Sequence, residues 1–96
     1  VVALMKQYAL ENGDAGIRSN AVNADRVRTG LLPRGFVAER AAARGLSEDA
    51  YFVSNLLGAE VRAEDVAQVF TDLALAERTT GCVVTVDGGN IAAAPR

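Results

Sequence analysis

Ninety-six residues leave room for one small domain and no second independent core. Half the residues are hydrophobic and 23% are charged, which is a globular rather than a disordered composition. Ten basic against 12 acidic residues give a net charge of −2, with nine arginines and Lys6 spread along the chain, so no nucleic-acid footprint is visible. Nothing approaches the ~20 apolar residues of a membrane-spanning helix, and no signal peptide opens the chain. A single cysteine, Cys82, excludes an internal disulfide, and the lack of histidine excludes Ser-His or Cys-His catalysis and any His-ligated zinc within these residues.

Val1, Leu4, Met5, Tyr8 and Ala9 recur on one face of a helix over Val1 to Asn12. Gly13 suits a left-handed cap. No capping residue precedes Val1, so the pattern reads as a helix entered part-way, in a piece of something longer. Gly16 to Ala24, GIRSNAVNA, alternates imperfectly and predicts a short strand. The glycines and Pro33 of Asp25 to Gly35 predict a loop.

Gly35 to Gly45 predicts a short helix closed by Gly45. Ser47 followed by Glu48 and Asp49 is a helix start, with acids at the positive end of the dipole, and predicts a second short helix from about Glu48 to Asn55. Two short helices joined by a glycine suggest a mobile lid. The strongest helix is predicted over Ala63 to Glu77, with an apolar stripe of Val66, Val69, Phe70, Leu73 and Ala74. Arg62 stands at its cap, a choice that forgoes about 1 kcal/mol. Cys82 to Val86, CVVTV, predicts a buried strand. Asp87-Gly88-Gly89 turns the chain; with no helix after it, the turn lacks anion-binding geometry.

Strand, helical crossover and apolar strand together predict a parallel βαβ unit in an α/β fold. Among single residues, Cys82 reads as a small buried hydrophobe. Asn20 and Asn23 read as loop anchors. Arg26 and Arg28 read as solvated loop charges, although arginines there could bind a phosphate. The acid pairs Glu48-Asp49 and Glu64-Asp65 sit where helix starts place carboxylates, so they do not argue for acid–base catalysis.

GIRSNAVN at 16–23, followed by Val27 and Thr29, resembles the segment after the catalytic helix in short-chain dehydrogenases/reductases, whose pattern runs roughly G-I-R-x-N-x-V-x-P-G-x-V-x-T. EDVA at 64–67, TTG at 79–81 and VDGG at 86–89 resemble that family's last helix and strand. The resemblance covers nearly the whole chain in order. It implies the C-terminal part, residues 1–96, of a single Rossmann-like NAD(P)-binding domain, with its doubly wound parallel sheet. It further implies hydride transfer on an alcohol or carbonyl, NAD or NADP as cofactor, a small-molecule substrate, and a cytoplasmic homo-oligomer. The family's Gly-rich turn and Tyr-x-x-x-Lys pair are absent from these residues, so no catalytic residue is assigned and the 96 residues alone are expected to be inactive.

Carried over position by position, the resemblance places Val27 and the Thr29 hydroxyl against the nicotinamide carboxamide and the adjacent phosphate. It places Gly30 and Leu31 near the diphosphate. Ala24-Asp25 stands where the family usually has Pro-Gly beside the nicotinamide. Residues 32–57 correspond to the substrate lid, with Leu32, Phe36, Tyr51 and Phe52 as candidate pocket residues. NAVNADRVRTGLL with RTTG and VDGGN further resembles a branch that fuses a rhamnulose-1-phosphate-type aldolase to a short-chain dehydrogenase, which implies a sugar-derived substrate. The competing reading, free of the resemblance, is an autonomous interaction or oligomerisation module that pairs through an exposed apolar helix and a free strand edge.

Overall fold

The computed structural model describes residues 1–29 and 32–91. Helix α1 (Val2–Asn12) opens the chain. Its only buried side chain is Met5, and Leu4 and Tyr8 are 64% and 56% exposed. The left-handed residue expected at Gly13 falls three residues later. Gly13 has φ −61° because a 3-10 turn over Gly13–Ala15 prolongs the helix, and Gly16 takes φ +76° instead. The N–H groups of Gly16 and Ile17 then donate to the carbonyls of Gly13 and Asn12, which satisfies the end of the extended helix.

The predicted strand is real but shorter. β1 (Ala21–Ala24) pairs in parallel with β2 (Val83–Val86), Ala21 beside Val83 and Ala24 beside Val86. Residues before Ala21 do not join the ladder because their polar groups are used elsewhere. Ser19 N–H donates to Thr80 Oγ1 and its carbonyl accepts from Gly81 N–H. Its hydroxyl donates to Met5 O at 2.9 Å, tying α1 to this turn. Asn20 is the anchor its position suggested: its Nδ2 donates to Thr79 O and its Oδ1 accepts from Cys82 N–H, both at 3.0 Å.

Between the strands run α2 (Phe36–Ala43), α3 (Glu48–Phe52) and α4 (Ala63–Leu75). Gly45 closes α2 at φ +67°, with Leu46 N–H returning to Ala41 O and the Leu46 side chain packed beside Ala41. Ser47 caps α3 by accepting from Ala50 N–H at 3.1 Å. α3 stops at Phe52, three residues short of the prediction, and Asn55 bonds both the carbonyl and the N–H of Ala59 in a loop of its own. α4 also ends early. The Arg18 guanidinium binds the carbonyls of Leu73, Ala74 and Ala76 at 2.7, 2.9 and 3.1 Å, fixing the C-terminus there. At the other end, Asp65 accepts from the backbone N–H of Arg62 at 2.8 Å, which offsets the poor cap.

α4 packs on both strands, yet Phe70 remains 58% exposed, and β2, expected to be buried, is half-buried along its length. Cys82 lies just outside the strand and is likewise half-buried, not buried as expected. The buried hydrophobic cluster instead joins Ala41, Tyr51 and Phe52, in the two short helices. No helix among the described residues is long and apolar enough to cross a membrane.

Candidate functional site

The site lies where the two parallel strands end. The pairing reaches one residue beyond β1, where Asp25 N–H meets Val86 O at 3.4 Å. The loop 25–29 then leaves the carboxyl edge of the sheet, the edge at which open α/β sheets bind ligands. After β2 the chain turns through Asp87. This carboxylate is 3% exposed and accepts from Gly89 N–H at 2.9 Å and Ile91 N–H at 2.7 Å. The turn fixed in this way presents Asn90, whose Nδ2 donates to Asp25 Oδ2 at 2.8 Å. The carboxylate standing in place of the family's Pro-Gly is thus held by the opposite strand's turn. Gly88 and Gly89 have positive φ, and a Cβ on Gly88 would lie 2.5 Å from Asn55 Cγ, so this turn is also pressed against the segment after α3.

Arg26 is half-buried rather than a solvated loop charge, whereas Arg28 is exposed, as expected, but makes specific contacts. Arg26 has φ +55°, a conformation uncommon outside glycine. Its guanidinium carbon lies 4.5 Å from the centre of the Tyr51 ring, Nη1 donates to Ser54 O at 3.0 Å, and Nε is 3.7 Å from Asp25. Arg28 lies 4.3 Å over Phe52 and bonds Glu60 at 2.8 Å and Asp49 at 2.9 Å. Glu60 first and Asp49 second hold its pKa above the ordinary arginine value. Two arginines, two residues apart, therefore fasten the loop to two successive aromatics of α3. Arg44 approaches Tyr51 as well, at 5.7 Å, and the Tyr51 and Phe52 rings meet edge to face at 5.6 Å.

Loop and helices line an open cleft of about 450 Å³. It brings together Ala24, Asp25, Val27 and Thr29 of the expected cofactor side with Leu32, Phe36 and Phe52 of the expected substrate side. Tyr51 joins them. Gly30 and Leu31 lie outside the described residues. The wall also contains Arg26, Val37 and Arg40, which the sequence reading did not assign to a pocket. The signal available for Arg40 was its position four residues after Phe36, one helical turn on, where it lies 4.7 Å over that ring. Among the described residues no cluster of three potential metal ligands occurs.

The family described as enoyl-(acyl carrier protein) reductase matches residues 1–90. The chain belongs to the short-chain dehydrogenase/reductase family. It is 40% identical over 101 aligned residues to the uncharacterized oxidoreductase YuxG of Bacillus subtilis, covering 97% of this chain and 15% of that protein. A short chain dehydrogenase family protein from Francisella tularensis superposes with a TM-score of 0.75 at 25% identity, over 95% of this chain and 40% of that one. ElxO with NADP bound gives 0.72 at 28% identity, and a mutant of 4-hydroxyisoleucine dehydrogenase complexed with NADH and succinate gives 0.73 at 25%; each match covers 95% of this chain and 36% of the other. The parallel pair with its helices is accordingly part of a Rossmann-like α/β fold. The chain spans well under half the length of these relatives.

Proposed function

We propose that residues 1–96 form the C-terminal part of an NAD(P)-dependent oxidoreductase that moves a hydride between the cofactor and a small alcohol or carbonyl compound. The observation that carries this reading is a cavity between the strand-end loop and the two short helices. Ala24, Asp25, Val27 and Thr29 of the expected nicotinamide side share its wall with the expected substrate residues Leu32, Phe36 and Phe52. NAD(P), when bound, supplies the hydride acceptor or donor. The residues present fit a nicotinamide group: the loop leaves the carboxyl ends of parallel strands, and Asp25, which replaces the family's glycine, is already bonded to Asn90.

In this reading the backbone of Val27 and the hydroxyl of Thr29 hold the carboxamide and the neighbouring phosphate, with Gly30 and Leu31 beyond them. Ala24 and Asp25 bound the ring, while Leu32, Phe36 and Phe52 exclude water and shape the substrate space within a lid of residues 32–57. The proton-handling Tyr-x-x-x-Lys pair has no counterpart in these residues: Tyr8 is followed four positions later by Asn12, and Tyr51 by Asn55. The 96 residues therefore contribute binding and orientation, and proton transfer belongs to residues elsewhere in the longer protein.

The aldolase-fusion branch draws support from lengths. The chain covers 15% of the Bacillus subtilis relative but 36–40% of the solved dehydrogenase chains, so that relative is more than twice their length and has room for a second domain. Exposed Leu4 and Tyr8 of α1 and Phe70 of α4 support self-association. Titrating NADH and NADPH fluorescence against the full-length polypeptide and against residues 1–96 tests the main reading. Micromolar binding by the whole polypeptide, and binding at least tenfold weaker or absent for residues 1–96, is the expected result. No binding by the whole polypeptide, or equal binding by both, refutes it.

A further inference from the structure

We propose that the substrate of this site carries an anionic group, a carboxylate or a phosphate, and that Arg40 of α2 binds it. This deepens the oxidoreductase reading and rests on it. The cavity wall holds two guanidiniums, Arg26 and Arg40, and one carboxylate, Asp25. Arg26 and Asp25 offset each other: their side chains are 3.7 Å apart. Each has a further partner in the fold, Ser54 O for Arg26 and Asn90 for Asp25.

Arg40 differs. Among the described residues it donates to no acceptor and pairs with no carboxylate; its one specific contact is the Phe36 ring, 4.7 Å below. The wall therefore holds one positive charge that no described residue compensates. The guanidinium carbon sits over the ring while the side chain is exposed, and its N–H donors meet no acceptor among the described residues, so they can form the two parallel bonds that carboxylates and phosphates accept. Phe36, Val37 and Phe52 line the same space, so an anion there is partly withdrawn from water and its attraction to Arg40 is strengthened. A neutral alcohol gains nothing from this charge.

The test uses the full-length polypeptide saturated with whichever of NADH or NADPH it binds. Inorganic phosphate, 3-hydroxybutyrate and the neutral 2-butanol are titrated separately by calorimetry into wild type, Arg40→Gln and Arg40→Lys. The expected result is that at least one anion binds tenfold or more tighter than 2-butanol. Arg40→Gln removes that preference, Arg40→Lys retains part of it, and cofactor affinity is unchanged in both variants. Response to phosphate alone identifies a phosphorylated substrate, and response to 3-hydroxybutyrate alone a carboxylate. Wild type that binds neither anion, or Arg40→Gln that binds them as wild type does, overturns the proposal. Failure of the wild type to bind either cofactor instead overturns the oxidoreductase reading beneath it.

Discussion

The two short helices and the βαβ unit are held together by different physics. In the helices, the chain buries its own apolar surface: Tyr51 and Phe52 pack with Ala41 inside a segment of 17 residues, Phe36–Phe52. Three arginines then cover the two rings. In the βαβ unit little is buried, and its geometry is set by polar side chains reaching across the chain. Arg18 fixes the end of α4 and Asn20 fixes the entry to β2. The segment with the composition of a mobile lid is thus the best-packed part of the molecule, and the element with the stronger periodicity is the less buried. A lid can be a rigid body that moves on the loops that flank it.

Hydrogen exchange resolved by peptide in the full-length polypeptide can break this contrast apart. Phe52→Ala removes a side chain only 3% exposed and is expected to cost about 3–5 kcal/mol locally. It should speed exchange in α2 and α3 while leaving β2 unchanged; equal loosening of β2 would show that the two regions are one unit. Arg18→Met is next, at about 2–3 kcal/mol for charge-assisted bonds to three carbonyls. It should loosen the last turn of α4 and the strand pair and spare α3. Ser47→Ala, which deletes the cap of α3, should cost about 1 kcal/mol and speed exchange at Ala50 first.

The smallest effect concerns pH. Arg28 has its pKa raised by Glu60 and Asp49. A group raised in the folded state contributes below its unfolded value and loses that contribution only as pH rises through the folded one. For an arginine that window lies above its ordinary, strongly alkaline value. Exchange protection of α3, corrected for the intrinsic rate, should therefore show no Arg28-dependent decline from pH 7 to 10 when wild type and Arg28→Gln are compared.

Local signals were legible in the sequence. Ser47 and Gly45 mark helix ends through bonds to residues three to five positions away, and such bonds need no knowledge of the fold. The parallel order followed from β-branched residues at 83–86 and the helical crossover before them. Element lengths were not legible. Where α4 stops depends on Arg18, and where β1 starts depends on the turn at 79–82, both more than 50 positions distant. In the site, Ala24, Asp25, Val27 and Thr29 of the expected loop share one cavity with Leu32, Phe36 and Phe52 of the expected lid, because both sets follow from the order of elements. The roles of Arg26, Arg28 and Asn90 were hidden for the opposite reason. An arginine in a loop carries no mark of which ring it will cover, and an asparagine after two glycines none of which carboxylate it will meet.

The clamp of Arg18 on α4 also sets an order of assembly. Its three carbonyl partners lie 55 to 58 residues along the chain, so closing it requires a large loop to be drawn in before any bond rewards the cost. The Phe36–Phe52 helices make their contacts over short separations, so their loop-closure cost is smaller. By contact separation, the middle of this chain is expected to order first and the Arg18 clamp to close last.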